Sequence, residues 1–443
     1  MMNEKKIMIL AIQAKLEFPE GFYTGEGGKN GNFLSLARNG QGKPLLRGSS
    51  VAGFLRHAME RKYSPAKVES LFGHPLAREE EREESRVIFE DAPFDFGGKN
   101  LFVDETDHNF INRHTGAVSK EDKGLFSLER VPSKSSCRLF FYIRGEEGSQ
   151  LIKEGEVLVS MLHQATLGGS ANRGCGRCFV KDEKYKRRLF DMTKVEDAAT
   201  FLDLLYGGVC ENIPEAEECD IATTGDQVFI LSCELIIPPG QDILCAGGHD
   251  AYPVSCFSAN GGEYWKIPGS TLRGLCRAWI ARLAVRGGRA QVDSVERYEE
   301  IGKMREVDRA KLQDYSNDPV ANLFGSLQNK GRIHFSDAIS NNPTKSIDVQ
   351  KRKHVVIDRF TGGTNEGKLF ENSVLVGGSG LKFSLTISID HPNQDELNWL
   401  SKSLKAIHLG LIRIGSAKSS GRLEIYATQI QLKPRDLDFT LEL

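Results

Sequence analysis

Gly48-Ser-Ser-Val-Ala-Gly-Phe-Leu-Arg56 and Gly269-Ser-Thr-Leu-Arg-Gly-Leu-Cys-Arg277 are two versions of one pattern, 221 residues apart, and they decide how the chain is organised. In each, a glycine and two small hydroxyl residues lead into apolar residues at helical spacing. These are Val51, Phe54, Leu55, Ala58 and Met59 in the first, and Leu272, Leu275, Cys276, Trp279, Ile280 and Leu283 in the second. The spacing predicts an amphipathic helix at both places, with Ser49 or Ser50, and Ser270 or Thr271, where N-caps belong. At the same offset, upstream, Ile7-Met-Ile-Leu10 falls on Val228-Phe-Ile-Leu231. Downstream the offset becomes 246. Arg86-Val-Ile-Phe-Glu-Asp-Ala92 falls on Arg332-Ile-His-Phe-Ser-Asp-Ala338, Ile111-Asn-Arg-His-Thr-Gly116 on Ile357-Asp-Arg-Phe-Thr-Gly362, and Gly169-Ser-Ala171 on Gly415-Ser-Ala417. Leu71-Phe-Gly73 has its echo at Leu323-Phe-Gly325. So many collinear matches mean an internal duplication of domain length. The change of offset from 221 to 246 is a net insertion of 25 residues in the second copy, between the repeated helix and Arg332.

Each copy has a readable order of elements. Residues 5–18 and 228–238 are apolar and β-prone, hence strands, each followed by a glycine-rich loop and then the helix. A strand is predicted at about 86–91 and 331–337, then a long polar insertion at about 93–135 and 338–381. After it, Cys137, Leu139, Phe141 and Ile143 alternate as on one face of a strand, matched by Phe383, Leu385, Ile387 and Ile389. A second helix (about 149–164 and 394–409) leads to a glycine-rich turn and a last strand. The order is βαββαβ, an α+β split ferredoxin-like pattern given twice. Residues 1–184 make the first domain, 185–225, with its charged Asp-Glu-Lys-Tyr-Lys-Arg-Arg run, a connector, and 226–443 the second.

Composition sets limits. A chain of 443 residues is too long for one ordinary core. No apolar run reaches the roughly 18 residues of a membrane helix, so no membrane partner is expected. The first apolar stretch is interrupted by Gln13 and Lys15 and reads as a strand rather than a signal peptide. Nine cysteines without a signal read as reduced thiols in the cytoplasm. Cys175-Gly-Arg-Cys178 has metal-ligand spacing but no second pair or histidine cluster of its kind, so packing is expected rather than zinc. A net charge of −2 means that any nucleic-acid surface must be a local groove and not a basic whole.

Four features carry candidate chemistry. The two helix starts offer backbone N–H groups and a positive helix end to a phosphate, with Arg56, Arg273 and Arg277 further along; simple capping is the plain alternative. The turns Gly168-Gly-Ser-Ala-Asn-Arg-Gly-Cys-Gly-Arg177 and Gly415-Ser-Ala-Lys-Ser-Ser-Gly-Arg422 combine small residues with a cation, which suits close approach to a phosphate chain. Gly169, Ser170, Asn172, Arg173, Gly415, Ser416, Lys418 and Ser419 are the candidates there. The insertions hold Arg113 and Arg359 in matching hexapeptides, with Lys351-Arg-Lys-His354 before the second, against the reading of a solvated loop. The acidic run Glu79–Glu84 is read as solvated loop.

A first strand, a glycine-rich loop, Pro44-x-x-x-Gly-Ser-Ser-x-x-Gly-x-x-Arg56, Leu71-Phe-Gly73 and a strand like Arg86–Ala92 together resemble the RAMP proteins of CRISPR effector complexes. The Asp358-Arg-x-Thr-Gly362 insertion followed by an alternating strand, and the Gly168-Gly-x-x-x-x-Gly-x-Gly176 turn, resemble the backbone subunits of type III complexes. The resemblance implies RRM-like ferredoxin domains that line up along a CRISPR guide RNA and pair it with complementary target RNA. It implies thumb-like insertions that disturb the guide–target duplex. The implied partners are neighbouring RAMP subunits, a large signalling subunit and small subunits. It further implies an aspartate, in the loop after the first strand, that cuts target RNA with Mg²⁺ or Mn²⁺. Asp250, in Gly247-Gly-His-Asp-Ala-Tyr-Pro253, matches that place as catalytic and metal-holding residue, with turn capping as the bland alternative. The two copies fused in one chain depart from the usual single domain.

The copies also differ. The matching loop of the first reads Thr24-Gly-Glu-Gly-Gly-Lys-Asn-Gly-Asn32, placing Lys29, Asn30 or Asn32 opposite Asp250, and no aspartate occurs in residues 1–90. An amide carries no negative charge for a metal and takes no proton near neutral pH. The expectation is therefore that only the second half cuts. A non-catalytic RAMP scaffold remains the alternative. A CRISPR RNA-processing endonuclease fits less well, since it would rely on a helix histidine such as His57, and the second copy has none there.

Overall fold

The computed structural model describes residues 7–26, 33–74, 84–95, 103–109, 125–171, 175–207, 212–222, 228–243, 246–247, 252–259, 261–287, 318–325, 330–378, 380–415, 424–432 and 437–441. Strand β1 (Met8–Phe18) is buried on both faces. Leu10, Ile12, Ala14 and Leu16 point into one core, while Ile9 and Ala11 point into a smaller cluster on the other side of the sheet. Helix α1 (Gly48–Glu60) buries Val51, Leu55 and Met59, the stripe its spacing predicts. Strand β2 (Val87–Phe89) follows. An insertion then carries β3 (Asp104–Asn109) and β4 (Leu125–Arg130), paired antiparallel with Asp104 opposite Arg130. The unit is completed by β5 (Ser135–Gly145), α2 (Gly148–Leu162) and β6 (Phe179–Asp191). All pairings with β1 and β5 in this sheet are antiparallel: β6 lies beside β1, β1 beside β5, and β5 beside β2.

The second half repeats this layout with its own core. It comprises β7 (Val228–Ile237), α4 (Gly269–Arg286), β8 (Ile333–Phe335), β9 (Val349–Ile357), β10 (Thr364–Val376), β11 (Leu381–Asp390), α5 (Gln394–His408) and β12 (Glu424–Leu432), with α3 (Val195–Tyr206) before it in the connecting segment. Strand β12 lies beside β7, β7 beside β11, and β11 beside β8. A short helix, Pro65–Phe72 and Pro319–Phe324, occupies the same place in each half. Both begin with proline and end on a glycine of positive φ (Gly73, +74°; Gly325, +87°), which explains the repeated Leu-Phe-Gly.

Register corrects two readings of the sequence. Val87 pairs with Ile143 and Ile333 with Ile389, so these strands obey the 246 offset. Leu10 pairs with Ile143, however, and Phe229 with Ile389. The first strands therefore correspond at an offset of 219, not 221, and the positive-φ glycines Gly21 and Gly240 that follow them agree. A slip of two residues keeps every side chain on its face, so the apolar pattern alone cannot detect it. The charged run near 185 also belongs to the first sheet rather than to a connector, since β6 continues to Asp191 and Glu217–Asp220 pairs with its outer edge.

The halves meet through the first insertion. Arg130, at the end of β4, donates to Asp104 at 2.8 and 2.9 Å and reaches across to Asp337 of the second half. Lys266, fully buried, donates to Asp104 at 3.1 Å and Thr106 at 2.7 Å. Two cations and two carboxylates thus compensate one another out of water. Burial alone would make Arg130 easier to neutralise, but Asp337 and Asp104 outweigh it and hold the guanidinium charged. Beside this cluster Arg177 donates to Gln164 O at 3.1 Å and to Asp390 at 3.3 Å, and the Ser133 carbonyl accepts from Ala259 N–H at 3.0 Å.

Candidate nucleic-acid interface

Both helix starts are built the same way, and not as serine caps. The N-cap positions are Arg47 and Pro268, without side-chain caps, so Ser49, Ser50, Ser270 and Thr271 lie inside the first turn. The acceptor comes from the neighbouring strand segment instead. Asp91 Oδ1 accepts from Gly48 N–H at 2.8 Å, and Asp337 Oδ1 from Gly269 N–H at 2.7 Å. The glycines are required by close approach: a Cβ on Gly48 would lie 2.2 Å from Phe89 O, and one on Gly269 2.5 Å from Phe335 O. The repeated glycine and the repeated Phe-x-Asp-Ala are thus one device that docks a helix start onto a strand. The sequence printed this aspartate in both copies, and its absolute repetition was the signal that could have singled it out.

The first N–H of each helix is therefore committed to a carboxylate, which narrows what a phosphate could find there. The hydroxyl of Ser49 remains exposed, and Ser50, Ser270 and Thr271 are half-buried. Arg56 is half-buried and pairs with Glu60 one turn on, at 3.3 Å. Arg273 donates to Phe324 O and stacks over the Phe324 ring at 5.5 Å, so it ties α4 to the Pro319–Phe324 helix. Arg277 is half-buried in α4.

The first glycine-rich turn lies against the loop after β1. Gly169 N–H donates to Tyr23 O at 2.9 Å, and Gly176 N–H to Gly21 O at 2.9 Å. Gly168 and Gly176 both have positive φ and press on backbone carbonyls, so larger residues are excluded. Ser170 takes φ +57°. Arg177, which closes the motif, is buried between the halves. The two thiols of the turn are buried as well: Cys178 donates to Leu162 O at 3.3 Å, and burial pushes its pKa up to about 12. Arg130 approaches the Cys175 sulfur at 3.7 Å. Of the second turn, only Gly415 falls among the described residues. Asn172, Arg173, Arg113, Ser416, Lys418, Ser419 and Asp250 lie outside the described residues.

The second insertion is a long hairpin. Its turn is held by Asp358, whose carboxylate accepts from Phe360 N–H and Thr361 N–H at 2.9 Å each and is thereby kept below the usual carboxylate range. Arg359 is exposed at the tip beside Phe360, which is wholly exposed. Val355, Val356, Ile357 and Leu369 are also exposed, and Lys351, Arg352 and Lys353 line the same strand. Lys351 pairs with Glu371 at 3.2 Å, and Arg352 with Asp242. A protruding surface with cations and bare apolar side chains suits contact with phosphates and stacked bases. The basic residues of β6 are different. Lys184, Arg187 and Arg188 are paired with Glu218, Glu156, Glu217 and Asp197, so that strip is neutralised locally.

Comparison with known proteins agrees with the repeat. The family model of the RAMP superfamily matches the chain twice, over residues 15–179 and 257–424. A curated relative, the CRISPR system Cms endoribonuclease Csm3 of Methanocaldococcus jannaschii, is 27% identical over 209 residues, 39% of this chain and 83% of that protein. Each family match takes in one aspartate-held helix start, one insertion and the strand and helix that follow it, and together the two span more than half of the sequence: the chain belongs to the RAMP superfamily, in tandem.

Proposed function

We propose that this chain is an RNA-binding backbone subunit of a type III CRISPR effector complex, carrying guide RNA on both halves and cutting complementary RNA from the second. The observation that carries the reading is the tandem RAMP match laid over two units that repeat element by element. The relative named as a CRISPR endoribonuclease supports the RNA chemistry. The central strand order β6-β1-β5-β2, and β12-β7-β11-β8 in the second half, supports a ferredoxin-like assignment for each unit. RNA would run past Ser49, Ser50 and Arg56 and past Ser270, Thr271 and Arg277, along the glycine-rich turns, with Arg359 at the thumb. Neighbouring RAMP, large and small subunits complete the assembly.

Cutting is assigned to Asp250. A divalent ion, when bound, supplies positive charge at the reacting phosphate. The ion would rest on Asp250 and on the RNA itself. Mg²⁺ suits such a site, since it keeps several waters and leans on substrate phosphates. Asp250 would hold that ion or take the proton of the attacking 2′-hydroxyl.

The test is to co-express the chain with the genes beside it, isolate the complex and extract its RNA. Guide-length RNA with repeat-derived ends is expected. A chain that purifies alone and free of RNA would overturn the proposal.

A further inference from the structure

Lys266 is a buried cation in the short strand Glu263–Ile267 that leads into α4. In that strand Ile267 pairs with Ala338, just as Leu46 pairs with Ala92 in the first half. Lys266 therefore stands where the first half has Leu45, a buried apolar residue. The fold is built with a leucine at this place in one copy, so it does not need the charge. An ammonium that is 1% exposed requires partners. They come from the other half: Asp104 at 3.1 Å and Thr106 at 2.7 Å, both on β3 of the first insertion. Asp337 of its own half is further off, at 3.9 Å. An ion pair out of water adds little net stability over apolar residues of similar volume; what it supplies best is a defined relative position.

The segment held in this way is the one that follows Asp250. In sequence, Asp250 falls between Ala246–Gly247 and Tyr252–Pro253, which pair with each other. The chain then runs through Ser255–Phe257, which pairs back onto the Lys266 strand, and Lys266 N–H donates to Val254 O at 2.8 Å. The end of this run is held by the first half as well. Ser258 bridges Ser133, just beyond β4, and Ala259 N–H donates to Ser133 O at 3.0 Å. Upstream of Asp250, Asp242 and Ile243 pair with Val376 and Leu375 of β10, in the second insertion. The second half's loop is thus gripped by both insertions. The corresponding loop of the first half pairs with its own: Phe33 and Leu34 lie beside Ser127 and Leu128 of β4, and Leu36 N–H donates to Glu129 at 2.9 Å.

We infer that Lys266 is a positioning residue for the cut: seated on Asp104 and Thr106, it makes the first half's insertion the platform that holds the chain segment leaving the Asp250 loop. The first half thereby serves the cut without an aspartate in its own loop. The inference rests on the assignment of Asp250 made above.

The experiment uses the full chain in its assembled complex, with a labelled complementary RNA and saturating Mg²⁺, under single-turnover conditions. Lys266→Met with Asp104→Asn removes one charge of each sign and leaves Arg130 paired with Asp337, so the junction stays balanced. Guide content, target affinity and the thermal midpoint should stay at wild-type values. The rate of the Asp250-dependent cut should fall roughly tenfold to a hundredfold, the cost of misplacing a reacting group by up to about 1 Å. The cut should also spread to neighbouring phosphates, which a purely structural role would not produce. Thr106→Val keeps all four charges and withdraws one acceptor from Lys266, so it tests the same point if the double variant fails to assemble; it should slow the cut by a smaller factor. Wild-type rate and cut position in the variants that assemble would overturn the inference. So would a loss of cutting that only tracks a loss of target binding or of thermal midpoint, since Lys266 would then be structural alone. A wild-type cut that persists undiminished in Asp250→Ala would instead overturn the assignment of Asp250, and the inference with it.

Discussion

Asp91 and Asp337 occupy the same position in the two halves and make the same hydrogen bond to a helix start, yet one is at the surface and the other is sealed among charges. Burial would raise the Asp337 carboxyl, but Arg130 and Lys266 outweigh it and hold it below the usual carboxylate range. Among the described residues Asp91 has only the cap. The comparison teaches that duplication preserved the device that shapes the fold, and that position within the tandem then decided what else the same residue does.

The largest expected effect follows directly. Asp337→Asn keeps an acceptor for Gly269 but leaves two buried cations facing one carboxylate, and should cost about 3–5 kcal/mol, the range for breaking a buried pair. Asp91→Asn should cost less than about 1 kcal/mol, as a conservative change at a helix cap. Chemical denaturation of the two variants checks the contrast, and equal losses would break it. Gly48→Ala and Gly269→Ala sharpen the complementary claim of sameness. Each forces a Cβ against a carbonyl, and each should cost about 1–3 kcal/mol; a large cost in one half alone would mean the helix starts are not equivalent.

Glu20, close to Arg177 at the junction, gives a pH-dependent test. Burial raises its pKa from 4.5 to about 7, against the pull of Arg177. Between those values the unfolded chain ionises this group while the folded chain keeps its proton, so its contribution to stability is lost as pH rises through about 7. Glu20→Gln mimics the protonated form. It should match the wild type near pH 4.5 and exceed it above pH 7.5 by at most about 3 kcal/mol, less for the solvent contact Glu20 retains. Thermal melts at the two pH values decide, and parallel profiles would refute the assignment. The smallest effects are at the surface. Arg56→Ala should weaken guide binding and reduce the salt slope by about 1, with little change in stability. Arg273→Ala, which removes a contact to Phe324, should act on stability instead.

Much of this was legible in the sequence because duplication writes every signal twice. The strands, the helix pair and the insertions could be placed, whereas Leu-Phe-Gly was seen to repeat without the short helix it ends being read. The first strands were aligned two residues out, because period-two patterning is blind to an even slip. The serines were read as caps because capping statistics describe helices that cap themselves, whereas here an aspartate arrives from a strand about 40 residues (Asp91) to 70 residues (Asp337) away in sequence. The charged run of β6 looked like a connector because its basic residues find their acidic partners only in the fold, Lys184 at Glu218, Arg187 at Glu156 and Glu217, and Arg188 at Asp197. Nothing local announces such long-range compensation.

For the proposed function, the difference between the halves that matters most is the loop after the first strand, with Asp250 in one copy and Lys29, Asn30 and Asn32 in the other. Its direct test gives the assembled complex an end-labelled complementary RNA with Mg²⁺ or Mn²⁺ and maps the fragments for the wild type, Asp250→Ala, and Asn30→Ala with Asn32→Ala. The expected result is one cut traceable to this chain, absent in Asp250→Ala with guide and target still bound, and unchanged in the asparagine variant. Two cuts from this chain, or an undiminished cut in Asp250→Ala, would contradict it.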